Sequence, residues 1–331
     1  MANYKEIQGF PIQNLSSDPV PYAQELINNP YAGVWSSGGA LNTARESLTG
    51  GGTQTAAFAA TGRNPANSDV TSHEQYDGSS WTEVADVNTG RRFLTGCSTQ
   101  PAAMIFAGNY PITGLTELWN GSAWTEVADM NTSRATAGLG VSTAAFAVGG
   151  YTTTNVANVE SWNGSAWTET TDINTARRGM GAGGTTTSAI TATGYSTAYA
   201  TNTETYNGST WTEVGDVNTG RADLGSSNDP SNATFLIFGG EPRTPAGALT
   251  ESWNGSAWTE VNDLANPRGN GVGGAGTNTV GLTFGGTNPS GGKISATEEW
   301  AFSGLPPSTP AAGYSDAITG QMYYNSTTGQ F

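Results

Sequence analysis

The chain has 331 residues, of which 12 are basic and 27 acidic, for a formal net charge of −15. That balance disfavours nucleic acid and anionic membrane surfaces as partners, and the length suits one domain with tails rather than two large domains. Charged residues make up only 12%, yet ten Trp, twelve Tyr and ten Phe are present beside 46 Gly, a mixture that points to short strands and many turns around an aromatic core rather than to disorder.

Residues 1–30 contain Pro11, Pro19, Pro21 and Pro30 among scattered apolar residues such as Ile7, Phe10, Ile12 and Leu15. They read as an extended arm that docks on something else. The opening Met-Ala-Asn-Tyr-Lys-Glu carries no apolar run, so no secretory leader is expected. No stretch approaches the ~20 apolar residues of a membrane span, so no membrane insertion is expected.

Residues 31–302 are written in repeats. The clearest copy runs Glu117-Leu-Trp119-Asn-Gly121-Ser-Ala-Trp124-Thr-Glu-Val-Ala-Asp129-Met-Asn131-Thr-Ser-Arg134, and it returns around Tyr76 and Trp81, Trp162 and Trp167, Tyr206 and Trp211, Trp253 and Trp258. The second Trp recurs at intervals of 43, 43, 44 and 47 residues. Each copy reads as two short strands joined by an Asn-Gly turn, which tolerates the positive φ a reversal needs. Two more strands should follow, as at Ala135–Val141 and Ala144–Val148, closed by Gly149-Gly150. Comparable apolar runs occur at Ala102–Ala107, Ser188–Ala192, Phe235–Phe238 and Val280–Phe284. Four strands per unit at this period predict the blades of an all-β propeller. The Gly, Ala, Ser and Thr of the first strands suit a crowded centre.

The count comes from the repeat positions. The repeat Arg occurs as Arg45, Arg91, Arg134, Arg177, Arg221 and Arg268; the Glu expected to open the third strand as Glu74, Glu117, Glu160, Glu204, Glu251 and Glu298. The second Trp occurs as Trp35, Trp81, Trp124, Trp167, Trp211 and Trp258, displaced by one unit. Trp300 has no second Trp after it and Trp35 no first Trp before it, so the two half-units complete each other. Six blades are predicted, the last closed by an N-terminal strand that removes the exposed edges.

The order Arg, Gly-Gly, Glu-x-Tyr/Trp, Trp and a following Arg resembles the kelch repeat over residues 31–302. Two departures stand out: a shorter turn before the second Trp, and a full Gly-Gly pair only at Gly149-Gly150, Gly239-Gly240 and Gly285-Gly286. All ten Trp fall on repeat positions. Burying one removes ~150–250 Å² from water, worth roughly 4–6 kcal/mol, against ~0.2–1 kcal/mol for a cross-strand pair. Packing between blades is therefore their expected role. Equal numbers of repeat Arg and Glu at fixed positions predict recurrent ion pairs or hydrogen bonds.

Little in the chain reads as catalytic. His73 is the sole histidine and reads as a surface or loop residue, so a copper site of the galactose oxidase kind cannot be assembled. Ser161-Trp-Asn-Gly-Ser-Ala-Trp167 resembles the repeated turn of sialidases, but its spacing is one residue short. Asp86-x-Asn88, Asp129-x-Asn131, Asp172-x-Asn174 and Asp216-x-Asn218 fit turn hydrogen bonding better than calcium, which wants six or more oxygens. Repeated Asn-Gly-Ser matches a glycosylation sequon but reads as turn chemistry. Cys97, the one cysteine, reads as a buried thiol. No catalytic residue, metal or cofactor is assigned.

Three blades carry longer segments between their second and third strands: Arg63–Val70, Gly240–Gly247 and Gly286–Lys293. They should emerge on one face, and Arg63, Asn64, Asn67, Glu241, Arg243, Asn288 and Lys293 are its candidate binding residues. Residues 303–331 begin with a stiff stretch at Pro306, Pro307 and Pro310 and end in an expected hairpin, Gly320-Gln-Met-Tyr-Tyr-Asn-Ser-Thr-Thr-Gly-Gln-Phe331. That ending, and Gly-Phe-Pro-Ile-Gln-Asn-Leu-Ser-Ser-Asp-Pro at the start, resemble segments of structural proteins from tailed phages of marine bacteria. The resemblance implies a non-enzymatic virion protein present in multiple copies: a propeller displayed as a fibre, tail or capsid appendage, bound to other virion proteins by its arms and meeting host surface glycans. The rival expectations are a glycan-active propeller enzyme and a bacterial kelch-type interaction scaffold.

Overall fold

A computed structural model describes residues 33–244 and 246–302; the arms expected at 1–30 and 303–331 lie outside the described residues. The Asn-Gly turns, Asp-Gly in blade one, set its pattern. Asp77, Asn120, Asn163, Asn207 and Asn254 each accept two backbone N–H groups of their own turn at 2.8–3.0 Å. The glycine that follows each sits at φ between +93° and +97°. These reversals place the aromatic pairs directly opposite one another: Tyr76 and Trp81, Trp119 and Trp124, Trp162 and Trp167, Tyr206 and Trp211, Trp253 and Trp258.

Six four-stranded antiparallel sheets result, the blades of a propeller. Blade one consists of Thr49–Thr53, Ala56–Ala60, His73–Tyr76 and Trp81–Val84. Blade three is the longest, with Ala135–Val141, Ala144–Tyr151, Asn155–Trp162 and Trp167–Thr170. Blade six takes Gly273–Gly276, Val280–Phe284 and Thr297–Ala301 from one end of the chain and Val34–Gly38 from the other. In that closure Trp35 pairs with Trp300 and Val34 with Ala301. The first strands crowd the axis: a Cβ on Gly138 would collide with Thr95 and Phe106 of the preceding blade. Each third strand opens at least one residue before the repeat Glu, not at it.

Indole hydrogen bonds sew the blades together. The outer-strand Trp of a blade donates to the residue before the repeat Glu of the preceding blade: Trp81 to Thr297, Trp167 to Thr116, Trp258 to Thr203 and Trp35 to Thr250, all at 2.9–3.0 Å. Blade three offers Val159 there, and Trp211 donates to the Thr171 carbonyl instead. Blade one offers His73, whose Nδ1 accepts from Trp124 at 3.1 Å. His73 is thus not a surface or loop residue. It is fully buried between Phe58, Trp119 and Trp124, doing the work of the repeat Thr. Cys97 is buried in an inner strand, where desolvation pushes its thiol up to about 12. No helix among the described residues is long and apolar enough to cross a membrane.

Candidate binding face

The loop-bearing face rests on six buried Arg–Glu pairs. Arg45–Glu74, Arg91–Glu117, Arg134–Glu160, Arg177–Glu204, Arg221–Glu251 and Arg268–Glu298 lie 2.5–3.1 Å apart, every side chain at 0–1% exposure. Burial pulls the pKa of Arg45, Arg177, Arg221 and Arg268 down, and each partner carboxylate pulls it back up. The same carboxylates accept the backbone N–H of Asn42, Asn88, Asn131, Asn174 and Asn218 at 2.7–2.8 Å, and that of Ala265 in blade six. The Asn of each Asp-x-Asn segment is therefore committed to the next blade's Glu. Asp86 and Asp216 accept from Thr71 and Thr201. Among the described residues no group of three or more His, Cys, Asp or Glu is placed to hold a metal ion.

Two residues past the repeat Arg, the chain turns left-handed at Ser47, Phe93, Gly179, Asp223 and Asn270. These turns are stitched around the axis: Phe93 N–H donates to Ser47, Ser47 to Asn270, Gly271 to Asp223 and Asp223 to Gly179, at 2.8–3.1 Å. Blade three breaks the ring, because Thr136 there belongs to a strand. Within the ring lies an axial funnel of about 340 Å³ that touches all six blades. Tyr110, Tyr151, Arg178 and Asp223 stand at its mouth. Desolvation, then the charge of Glu241, raises Asp223 to about 6, while Arg178 opposes the shift. Arg178 sits between two rings, 4.9 Å from Tyr151 and 4.8 Å from Tyr195.

A second, more open cleft of about 590 Å³ lies beside the funnel, with Tyr110 and Phe93 on the ridge between them. Four of the seven loop residues singled out from the sequence line it: Arg63, Asn67, Arg243 and Lys293. Asn67 Oδ1 accepts from Arg63 at 2.7 Å and from Lys293 at 2.9 Å. Glu46, nearly buried, receives Arg63 at 3.0 Å, Lys293 at 3.4 Å and the amide of Asn270. Arg243 pairs with Glu241 at 3.1 Å. The remaining three residues do not line the cleft. Glu241 holds Arg243, while Asn64 and Asn288 staple their own loops by accepting the N–H of Ser68 and Gly292.

Sequence reasoning passed over Arg92, Tyr110, Tyr151, Arg178 and Asp223. The signal was small but present. Arg92 and Arg178 immediately follow a repeat Arg and are surplus to it, and Tyr110, Tyr151 and Tyr195 each come within two residues of a glycine at or just past the end of a second strand.

No family model matches the chain, and no curated protein matches it in sequence. Among solved structures, that of YjhT superimposes with a TM-score of 0.60, covering 78% of this chain and 95% of YjhT at 14% identity. At that identity the likeness is one of fold alone. The kelch likeness stays a resemblance of repeat residues.

Proposed function

We propose that the chain is a non-enzymatic virion structural protein, a propeller held on a phage particle by its two ends and presenting its loop face to host surface glycans. The observation that carries this reading is the pairing of Val34 with Ala301. The chain enters and leaves blade six where the other five blades have their Asn-Gly or Asp-Gly turn, at the opposite end of the third strand from the loops. Two arms starting there can grip one partner surface and leave the loop face free. The phage-like sequences within residues 1–30 and 303–331 supply the nature of that surface: other virion proteins, met by many copies of this chain.

A glycan-active enzyme is the second reading, and Asp223 favours it: an acid with a raised pKa beside Arg178 and Tyr151 in a funnel is suited to proton transfer. Purified intact particles test the first reading. The chain should be found in a map of the particle, and chains lacking residues 1–25 or 306–331 should fold yet fail to incorporate. Incorporation of both truncated chains would end the anchoring proposal. Hydrolysis of a glycan by the wild type and not by Asp223→Asn would move the reading to the enzyme.

A further inference from the structure

We infer that the cleft bounded by the loops of blades one, five and six binds an anionic saccharide, a sugar unit carrying a carboxylate or a sulfate ester. The inference deepens the reading of the loop face as glycan-contacting and rests on it. Its first ground is where the positive charge lies. Of twelve basic residues, six are the buried repeat Arg and Lys5 lies outside the described residues. The other five, Arg63, Arg92, Arg178, Arg243 and Lys293, all sit in segments of the loop face, and four of them line this one cleft. On a chain of net charge −15 this is the place where an anion is welcome.

The charge is not fully spent within the cleft. Arg63 and Lys293 share the single carboxylate of Glu46, so one positive charge remains between them. Arg243 keeps a third of its side chain exposed while paired with Glu241, and Arg92 is held only loosely by Asp69 at 3.6 Å. Guanidinium forks suit the paired oxygens of a carboxylate or sulfate. Tyr110 supplies the second ground. It is 59% exposed, and the Arg92 guanidinium lies 4.1 Å from its ring centre. The ring is thus backed by a cation, with Phe93 tilted 6.5 Å away, and enough of it is exposed to meet the C–H face of a sugar. Long polyanions such as nucleic acid are disfavoured by the acidic chain as a whole; a short charged sugar meets only the cleft.

The test is calorimetric titration of the full chain with oligogalacturonate, a sulfated galactan oligosaccharide, a neutral galactan oligosaccharide of the same length, and inorganic sulfate. At least one charged sugar should bind, about tenfold or more tighter than the neutral one, with affinity falling as salt rises. Which of the two binds tells carboxylate from sulfate recognition. Arg243→Gln and Lys293→Gln should each weaken binding about tenfold at unchanged melting temperature, and Tyr110→Ala should weaken it without changing its salt dependence. Equal binding of neutral and charged sugars, no binding of either charged sugar, inorganic sulfate binding as tightly as a charged sugar, or full binding by the folded Gln variants would each overturn the inference. Absence of the chain from particles would sink the virion reading and leave these titrations standing, so the two failures are distinguishable.

Discussion

Trp35 stands opposite Trp300, their ring centres 5.1 Å apart, although 265 positions separate them in the chain. This pair closes the ring. Trp35 also meets Phe238 of blade five edge-on at 5.2 Å and donates its indole N–H to Thr250 there. Gly33, at φ +76°, sits so close to the Trp300 indole that any Cβ would fall inside it. Trp35→Ala should cost about 3–5 kcal/mol and lower the melting temperature by on the order of 10 °C. Deletion through Ala40 should open blade six and cost more, whereas deletion of residues 1–25 should leave melting unchanged. Calorimetry of the three chains checks this; a through-Ala40 deletion that melts like the intact chain refutes the closure.

Arg134 and Glu160 show what the buried Arg–Glu pairs contribute. Both side chains are essentially inaccessible, and Glu160 also accepts the N–H groups of Asn131 and Thr132. Arg134→Leu leaves that carboxylate buried without its cation and should cost about 3–5 kcal/mol, while replacing both partners with apolar residues of similar volume should cost less than that single change. A double-mutant cycle by urea unfolding gives the comparison. If the double replacement is worse than Arg134→Leu alone, the glutamate matters chiefly for capping the Asn131 loop rather than for its charge pairing.

The repeat made the blades, their number and the ring closure legible, because the half-units at Trp35 and Trp300 are each incomplete without the other. The cleft was legible only in part. Loops that lengthen a repeat announce themselves, as Arg63, Arg243 and Lys293 did. Arg92 and Tyr110 lie in blade two, whose loop carries no such announcement, and they reach the cleft only because the ring curves blade two against blade one. His73 was misread because its packing partners, Trp119 and Trp124, come from the next blade. The clue was the column itself: Thr116, Thr203, Thr250 and Thr297 hold the same position in other copies.

Asp223 should make the fold slightly less stable at neutral pH than in mild acid. Its folded pKa, raised by burial and by Glu241 to about 6, exceeds the ordinary 3.8. The folded state thus binds the proton more tightly, so this contribution is fully present below the ordinary value and is lost as pH rises through 6. Asp223→Asn should therefore stabilise the chain at pH 7 by on the order of 1–2 kcal/mol, allowing for the partial exposure of the carboxyl at the funnel mouth. Thermal melts of both proteins at pH 5 and 7.5 provide the measurement. A variant equally stabilised at both pH values would show that its charge is not the cause.

His73 should act in the opposite sense. Its folded pKa is lowered from 6.5 to about 4 by desolvation, which outweighs the upward pull of the Ala85 backbone; Arg45 adds a smaller push down and Asp86 a smaller pull up. Its Nε2 is buried without a well-formed hydrogen bond, and its Nδ1 must stay unprotonated to accept from Trp124. The unfolded chain therefore binds the proton more readily, and stability falls as pH drops from about 6.5 towards 4, by at most about 3 kcal/mol. His73→Thr restores the residue that four other blades place there and keeps an acceptor for the Trp124 indole. It should flatten the acid limb of the stability curve over that window while costing about 1–3 kcal/mol near pH 7.5, because the smaller side chain leaves a void between Phe58 and Trp119. Urea unfolding of both proteins from pH 4.5 to 7.5 decides the matter. A His73→Thr chain whose stability falls with acid as steeply as the parent's would mean that His73 is not the group being titrated.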